Sequence, residues 1–581
     1  MKRAKMVGWY DPRQLVQTGA KVVVSTLFGE NADFRLLEAV AASQAEAFYD
    51  HTVEWRTRDG DGEEPDLSHP RSEIWIDYVG DLGDGWNSTY GIAYQLAQPT
   101  LELRGTRGEL HQTTRGQLLV FGGDEVYPTA SRSAYREKLI APYEAALRST
   151  PPPHPHLFAV PGNHDWYDSL VAFTRLFCMK RWFAGWRTQQ CRSYFAAKLP
   201  HGWWLLGTDV QLGSDVDAPQ IEYFKQVADH LGPDDRIILC NAEPHWIYSA
   251  IYEGYDASVY NEGNLAFLED RILGKKVSVF LAGDLHHYRR HEAEDGTQKI
   301  TSGGGGAFLH PTHGPDVTVI HERHEYRQPT LRDFHLKHSW PDRQTSGWLC
   351  WRNLLFFWIN PWFGLVPAFL YMLISWTLLV DLGNSHDVEG AFGRVFAALI
   401  QSPAAVFWVF AVIGAFLFFT DTHSRVYRWV AGIAHGLTHL TATFVLGWGA
   451  TYVTVAYLGL AFKTWQQLVA AGIFILMVGW LVGGMIMGLY LVISLNVFGR
   501  HSNEAFSSLR IEDWKHFLRL RIDSSGDLTI FPIGVRRIPR RWTSRPPDGS
   551  GPECVPAGGS AGGPALIEDP IVVRGHTERS R

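Results

Sequence analysis

The chain has 581 residues, with 53 Lys and Arg against 60 Asp and Glu and a formal net charge of −7. This balance excludes a strongly basic nucleic-acid-binding protein, and the 46% of hydrophobic residues excludes a disordered chain. The five scattered cysteines exclude a disulfide scaffold and a cysteine-based zinc module. Because the chain is several times longer than an ordinary domain, we expect at least two folding units.

The first residues do not resemble a targeting segment. Residues 1–10 contain Lys2, Arg3 and Lys5, but no apolar core follows these charges, so we predict a cytosolic start without a secretory signal. The few cysteines fit the same reducing compartment. We treat residues 1–70 as an N-terminal extension or as part of the lobe that follows.

Residues 71–345 alternate short apolar segments with amphipathic stretches, which is typical of an α/β domain. Six of the apolar segments are predicted strands. They are residues 74–79, 117–121, 157–160, 203–206, 237–240 and 277–281. The loops at strand ends usually carry the chemistry of such a domain, so the residues that follow each strand are the candidates for function.

Four clusters of polar residues follow predicted strands, and each begins with glycine. They are GDLGDG at 80–85, GDEVY at 123–127, GNHD at 162–165 and GDLHH at 283–287. A single Gly-Asp pair is an ordinary turn and would indicate little. Four clusters in order bring oxygen and imidazole donors to one edge of a sheet, which predicts a metal site.

The first three clusters contain the motifs GDxG, GDxxY and GNHD. Over residues 71–315 the chain resembles the calcineurin-like metallophosphoesterase superfamily, and its motif details are most similar to the purple acid phosphatase branch. Two substitutions occur together, because Gly83 stands where a metal-binding His belongs and Tyr127 supplies a ligand instead. The resemblance implies a metallophosphoesterase-type β-sandwich flanked by helices, and the activity of a metal-dependent phosphoric ester hydrolase.

The resemblance also implies a dinuclear centre. One metal ion would be held by Asp81, Asp124, Tyr127 and His286, and Asp124 would bridge to a second ion. A phenolate among carboxylates favours a hard cation such as ferric iron, and manganese suits the same donors. Iron and manganese are therefore the expected ions, with zinc and magnesium as alternatives.

The implied second site departs from the family pattern. It would take Asp124, Asn163 and Asp284, but Asp284 stands in the place of a ligand His and Ala242 in the place of another. Two neighbours could replace the lost imidazole, namely Glu243 and His245. Three further histidines are more simply explained as surface or hydrogen-bonding residues: His287, His310 and His313.

Two residues of the third cluster are the implied catalytic pair. His164 would stabilise the transition-state charge or protonate the leaving group, and Asp165 would orient it, although Asp165 could equally be a loop cap. Asp84 either supports the metal ligands or ends the turn at Gly85. Two metal ions roughly 3.5–4 Å apart would lower the pKa of a bridging water and clamp the phosphoryl oxygens.

Beyond residue 345 the composition changes, because four long stretches lack Asp, Glu, Lys and Arg. They are residues 353–380, 395–420, 429–462 and 464–499. Each exceeds the roughly 20 residues that cross a hydrocarbon core. Residues 346–500 are therefore predicted to form a four-helix transmembrane domain, and a soluble helical core is the less favoured alternative.

The distribution of Lys and Arg around these spans predicts an integral, multi-pass protein whose catalytic domain and C terminus are cytoplasmic. Residues 501–542 are predicted to form a basic cytosolic lobe, with a solvated basic flank as the alternative. Residues 543–581, rich in Pro and Gly, are predicted to be disordered. We interpret His435 and His439, four residues apart within a span, as helix-packing residues rather than a functional pair.

The whole sequence predicts a membrane-integrated phosphoesterase in which a metal-bridging hydroxide attacks a phosphoester. Spans beside the catalytic domain favour a lipid-linked substrate, and a soluble phosphoester is the other option. The expected partners are this substrate and membrane lipids, but no nucleic acid, and the sequence leaves the oligomeric state open. The alternative is a catalytically degenerate sensor or binding protein, which the loss of the second-site histidines favours.

Overall fold

The computed structural model describes residues 3–19, 48–58, 62–210, 216–251, 263–274, 276–323, 331–381, 402–420, 424–545, 551–557 and 563–575. Within these residues the chain forms a mixed α/β lobe and a group of apolar helices. The predicted mixed α/β class is confirmed. All six predicted strands of residues 71–345 are present, each within one residue of its predicted bounds.

Two large sheets form the lobe in the described part of the chain. The first has nine strands, in the spatial order Tyr49–Asp50, Phe195–Lys198, Trp203–Gly207, Arg236–Cys240, Val277–Ala282, Gln298–Ser302, Tyr288–Ala293, Leu331–Trp340 and Val319–Arg323. The second has Ala565–Leu566, Leu528–Val535, Lys515–Ile522, Ile74–Val79, Leu118–Gly122, His156–Val160, Trp186–Thr188 and Trp182–Phe183, with Ile571–Val573 also paired to Leu528–Val535.

Three smaller two-stranded sheets accompany them among the described residues. They pair Val53–Arg58 with Gly62–Pro70, Thr100–Arg104 with Leu110–Thr114, and Trp542–Ser544 with Cys554–Pro556.

The two large sheets pack face to face over a shared apolar core. Strand Ile74–Val79 illustrates the pattern, because Ile76 and Tyr78 point into the core between the sheets while Trp75 and Val79 point outward to the helices. Since both faces of the strand are covered, its sequence is an almost continuous apolar run. The lobe therefore has four layers, with helices outside each sheet.

The helices of the lobe fill these outer layers. They are Trp86–Ala97, Arg132–Ala134 continuing as Tyr135–Ile140 and Ala141–Ala146, Asn163–Trp166, Val171–Phe177, Pro200–Gly202, Ala218–Ala228, His245–Ile251, and Gly263–Phe267 continuing as Leu268–Ile272. The later helices are Arg343–Cys350, Trp351–Leu355, Phe356–Ile359, Pro361–Asp381, Pro403–Phe419, Arg425–Tyr452 continuing as Val453–Tyr457, Trp465–Phe498 and Ser502–Ser507.

The C-terminal segment is part of the lobe, which corrects two expectations. Strand Lys515–Ile522 pairs with Ile74–Val79 in antiparallel register, so the basic segment 501–542 is not a separate lobe or a solvated flank. Within residues 543–581, the described part includes three short strands instead of only disorder. Alternating apolar residues of this segment complete the core between the sheets. The Pro and Gly content of the segment conceals this pattern in the sequence.

The apolar helices match the four predicted spans only in part. Among the described residues, two helices are long and apolar enough to cross a membrane: Arg425–Tyr457 and Trp465–Phe498. The first predicted span is instead a pair, Arg343–Ile359 and Pro361–Thr377, bent by 63° where proline interrupts the helical hydrogen bonds. The second predicted span, 395–420, lies partly outside the described residues, and its described helix Pro403–Phe419 has 17 residues.

Small residues let these helices approach closely. On helix Trp465–Phe498, a Cβ added to Gly483 would lie 2.5 Å from Pro367, and one added to Gly488 would lie 2.1 Å from the Asn353 carbonyl oxygen. His439 Nε2 lies 3.2 Å from His435 Nε2 and its other ring nitrogen bonds the Tyr371 hydroxyl. The histidine pair therefore makes helix-packing hydrogen bonds, as interpreted from the sequence.

Candidate metal centre

Three aspartates follow the carboxyl ends of strands and begin the candidate site. Asp81, Asp124 and Asp284 follow Ile74–Val79, Leu118–Gly122 and Val277–Ala282, and they have φ angles of 59°, 52° and 62°. This left-handed conformation is uncommon for a residue with a side chain, and such residues are concentrated at functional sites. Backbone hydrogen bonds hold the turns together, since the Asp81 N–H donates to the Gly123 carbonyl at 2.9 Å.

The hydroxyl of Tyr127 lies at the centre of the candidate site. Its oxygen is 2.7 Å from Asp81 Oδ1, 3.0 Å from Asp124 Oδ2 and 2.9 Å from His286 Nε2. One hydroxyl proton can satisfy only one of these three acceptors. The structure therefore brings the four residues of the implied first metal site together, in an arrangement with more acceptors than protons.

The hydrogen bond made by Nδ1 of His286 determines whether Nε2 carries a proton. His286 Nδ1 lies 2.7 Å from the Phe308 carbonyl oxygen, which can only accept a hydrogen bond, so Nδ1 carries the proton. Nε2 then presents its lone pair to Tyr127 and lies 3.4 Å from Asp81 Oδ1. A histidine that binds a metal through one nitrogen commonly donates the other N–H to a carbonyl in this way.

The carboxylates of the site are buried beside one another. Burial raises the pKa of Asp81 to about 7 and that of Asp284 to about 6. Burial and the neighbouring charge of Asp81 also raise the pKa of Asp124 well above its usual range. Asp81 Oδ2 and the amide oxygen of Asn163 are buried without a hydrogen-bond partner. A cation at this point would stabilise the ionised carboxylates and these oxygens, so the donor set fits a hard metal ion.

Tyr127 is required for these donors to hold a metal ion. Among the described residues, no three or more His, Cys, Asp or Glu side chains are grouped so that they alone could hold a metal ion. The tyrosine oxygen lies between the other donors, and burial raises the pKa of its hydroxyl. A metal site here therefore depends on the phenol as a ligand.

Glycines make room for the Asp81 carboxylate. A Cβ added to Gly303 would lie 2.2 Å from Asp81 Oδ2, and one added to Gly283 would lie 2.7 Å from the same atom. Atoms this close would overlap, so either glycine could be replaced only if the carboxylate moved. The sequence shows the glycine run, but it does not show that a carboxylate 222 residues earlier in the chain needs the space.

The implied second metal site receives no replacement imidazole from His245. The His245 ring points to Glu269, with Nε2 3.5 Å from Oε1, and its Nδ1 lies 3.4 Å from the Asn241 amide. Ala242 is buried in the strand-end turn, and its carbonyl accepts the Gly283 N–H at 3.0 Å. The Tyr248 hydroxyl donates to the Asp284 carboxylate.

The three spare histidines have separate positions. His313 bonds the Ser346 hydroxyl at 2.8 Å and the Asn496 amide at 2.9 Å, which ties the lobe to helix Trp465–Phe498. His310 stacks on His286 with ring centroids 3.9 Å apart. His287 is buried, and neither of its ring nitrogens has a hydrogen-bond partner.

His164 lies over the candidate centre, but Asp165 does not orient its ring. The His164 Nδ1–H donates to the Pro128 carbonyl at 2.6 Å, and the ring lies 4.4 Å from the Tyr127 ring. Asp165 instead accepts the Gly162 and Glu125 N–H groups at 2.9 and 3.2 Å. Of the two roles considered for Asp165, the structure has the loop cap.

Two features of the site were not predicted from the sequence, namely the contact of Asp84 with the N-terminal segment and the presence of Lys515. Asp84 accepts the Val7 N–H at 2.7 Å, so it fastens the N-terminal segment over Tyr127, against which Val7 packs. The Lys515 amine is buried without a hydrogen-bond partner, and burial lowers its pKa to about 8 despite the nearby charge of Asp84. A single lysine in an alternating strand gave no signal that it would face buried carboxylates.

Comparisons with known proteins add little to this geometry. No family model matches the chain, and no curated protein matches it. A solved structure described as "Structure of PhoD" aligns with a TM-score of 0.27 at 10% sequence identity. The alignment covers 42% of this chain and 59% of that chain, and a similarity this low supports no assignment.

Proposed function

We propose that the protein is a membrane-integrated, metal-dependent phosphoric ester hydrolase of the calcineurin-like type, with the two sheets as its metallophosphoesterase sandwich. The observation that carries the proposal is the convergence of Asp81, Asp124 and His286 on the Tyr127 hydroxyl. In this proposal four apolar helical segments anchor the lobe, and the lobe faces the cytoplasm.

The proposed ligands are the six residues singled out by motif. Asp81, Asp124, Tyr127 and His286 would hold one ion, and Asp124, Asn163 and Asp284 would hold a second, with iron or manganese as the best match to these donors. Two such ions would lower the pKa of a bound water and withdraw charge from the phosphoryl oxygens.

His164 is the proposed proton carrier. Because its Nδ1–H is engaged by the Pro128 carbonyl, Nε2 is the atom free to take up and release a proton. Burial lowers the pKa of His164 to about 4, so the ring is neutral at pH 7 before substrate binds. The negative charge of a bound phosphoester would raise this pKa, and His164 would then hold the proton that the leaving alkoxide requires.

Other residues position these groups. The His164 main-chain N–H donates to Asp124 Oδ1 at 2.9 Å, which fixes the orientation of the carboxylate that the two ions would share. The Phe308 carbonyl holds His286 in the tautomer that leaves Nε2 unprotonated. Asp165 stabilises the turn that carries Asn163 and His164.

A second candidate function is a binding or sensing protein that holds a single ion. The observation that favours it is the direction of His245, which faces Glu269 and leaves the second site without any imidazole in the place of Ala242. A protein of this type would retain a metal at the first site and hydrolyse no phosphoester.

The test compares Asp124→Asn with the unaltered protein, both purified in detergent. Metal content is measured by elemental analysis, and hydrolysis of bis-p-nitrophenyl phosphate is followed with added iron or manganese. We expect Asp124→Asn to lose metal and nearly all activity, whereas Asp333→Asn, an exposed carboxylate on strand Leu331–Trp340, keeps both. Bound metal in the unaltered protein without hydrolysis of any phosphoester would favour the sensor, and no bound metal would refute both functions.

A further inference from the structure

A cavity of about 450 Å³ lies between the lobe and the ends of the apolar helices. On the side of the lobe it is lined by Asp284, His287 and Arg289. On the opposite side it is lined by Phe418 and Phe419, at the end of one helix, and by residues 499–504, which follow another. The cavity thus connects the candidate metal centre with the end of the helical bundle.

The wall on the side of the lobe is suited to an anion. Arg289 is 2% exposed; one of its terminal nitrogens donates to the Thr312 carbonyl at 2.9 Å, but its Nε has no hydrogen-bond partner. His287 is also 2% exposed, and neither ring nitrogen has a partner. Buried polar groups are nearly always hydrogen-bonded in native proteins. These two side chains therefore point to a ligand that accepts hydrogen bonds and carries negative charge.

The opposite wall combines two phenylalanines with the polar segment 499–504 and lies at the end of the membrane-type helices. Phe418 is 82% exposed and is the penultimate residue of helix Pro403–Phe419. Gly499 caps Trp465–Phe498, a helix long and apolar enough to cross a bilayer. A ligand that fills the whole cavity would need an anionic group at one end and an apolar group beside the phenylalanines at the other.

From this geometry we infer that the cavity binds a phosphodiester with a long hydrocarbon chain, placing its phosphate between Arg289 and the Asp284 edge of the metal centre and its chain along Phe418 and Phe419. This inference rests on the proposed function and names its substrate class, an amphiphilic phosphodiester drawn from the end of the helical bundle. Each methylene buried from water increases affinity about fourfold, so a phosphodiester with a longer chain should bind much more tightly.

The probes are two phosphodiesters with the same leaving group, methyl p-nitrophenyl phosphate and hexadecyl p-nitrophenyl phosphate. In each case water supplies the oxygen that bonds to phosphorus, the bond from phosphorus to the aryl oxygen breaks, and p-nitrophenolate is released with an alkyl phosphate. With full-length protein in detergent and added manganese, we expect kcat/KM for the hexadecyl probe to exceed that for the methyl probe by at least about tenfold.

Two matched variants of one helix distinguish binding of the chain in the cavity from a general effect of the detergent. Phe418→Ser should lower the ratio of the two kcat/KM values by about threefold or more, because it removes an apolar contact for the chain. Phe410→Ser, a change at another exposed phenylalanine of helix Pro403–Phe419, should leave the ratio and the basal activity unchanged.

A binding measurement without turnover tests the anion wall. Hexadecyl methylphosphonate, which has no aryl leaving group, should raise the Tm of the chelator-treated protein, and methyl methylphosphonate should not. Arg289→Gln should abolish the rise and Arg289→Lys, which keeps the charge, should retain part of it. If Arg289→Gln does not fold, the Phe418→Ser and Phe410→Ser ratios still decide.

The outcomes distinguish a failure of the inferred substrate class from a failure of the proposed phosphoesterase function. Equal kcat/KM values for both probes, or equal ratios in Phe418→Ser and Phe410→Ser, would overturn the inference and leave the phosphoesterase function standing. Hydrolysis of neither probe by the metal-loaded protein would overturn the proposed function itself. A Tm rise that Arg289→Gln retains would refute the assignment of the phosphate position.

Discussion

The buried ion pair between Arg519 and Asp77 joins the C-terminal segment to the first strand of the site, and its removal gives the clearest test of the fold. Arg519 is fully buried and forms two bonds to Asp77, with Nε–Oδ1 at 2.6 Å and Nη2–Oδ2 at 3.1 Å. Replacing Arg519 by Met keeps an unbranched apolar stem but removes the guanidinium. The buried Asp77 carboxylate then retains the hydrogen bond from the Gly116 N–H at 2.9 Å.

Breaking a buried pair from one side costs about 3–5 kcal/mol, because the remaining charge stays desolvated. In a domain of this size each kcal/mol lowers Tm by roughly 2–4 °C, so we expect Arg519→Met to lower Tm by about 6–20 °C. The double variant Asp77→Leu with Arg519→Met should recover most of this loss, since an apolar replacement of a buried pair is often nearly neutral.

The assay is thermal unfolding of the detergent-purified full-length protein, followed by tryptophan fluorescence. The matched control is Arg521→Met, two residues along the same strand. Arg521 forms an ion pair with Glu73 at 2.8 Å, and the two side chains are 40% and 43% exposed. An ion pair this exposed contributes about 0–1 kcal/mol to stability. If the two single variants had the same Tm, strand Lys515–Ile522 would not be buried in the lobe, and its pairing with Ile74–Val79 would be refuted.

Three further predictions concern the candidate centre. Tyr127→Phe should weaken metal retention by about 10–100-fold in competition with a chelator, whereas Tyr94→Phe, on an outer helix, should not change it. The raised pKa of Asp81, about 7, means that the folded metal-free protein holds this proton more tightly than the unfolded chain, so its stability should fall as pH rises from about 4 through 7. Tm measured with chelator at pH 5 and pH 8 checks this; Asp81→Asn should reduce the difference, and an unchanged difference would contradict the assignment. Gly303→Ala should displace the Asp81 carboxylate and reduce bound metal several-fold by elemental analysis, while Gly347→Ala, with no atom within 4 Å of an added Cβ, should bind metal normally.

The sequence predicted the local features of the lobe well. Strand positions followed from apolar runs, and the polar clusters at their ends predicted which side chains would meet, as the contacts of Asp81 and His286 with Tyr127 illustrate. These features depend on nearest neighbours along the chain, and the position of a strand end fixes the position of the side chains that follow it.

Features that depend on distant segments were not predicted. All of the apolar helices separate Lys515 from Asp84 and Arg519 from Asp77, and nothing in a local pattern indicates that the strand of Lys515 and Arg519 returns to the sheet. The role of Asp165 was open for a related reason, because Gly-Asn-His-Asp forms the same short turn whether the aspartate bonds the histidine ring or the backbone.

The bend near Asn360 was missed because a count of uncharged residues measures length and not direction, although Pro361 marks the break in the sequence. The sheet nevertheless restricts the membrane topology. Strand Ile74–Val79 precedes the apolar helices and Lys515–Ile522 follows them, yet the two are hydrogen-bonded neighbours. Any membrane crossings between them must therefore be even in number.

The same pairing has a consequence for biosynthesis. While the ribosome is still translating the apolar helices, strand Ile74–Val79 has a free edge where Lys515–Ile522 will later bind, so the nascent lobe cannot close. A chaperone or the lobe's own transient contacts must protect that edge until the last strands emerge, and a premature stop codon anywhere in the helical region would release a protein with an open, aggregation-prone sheet.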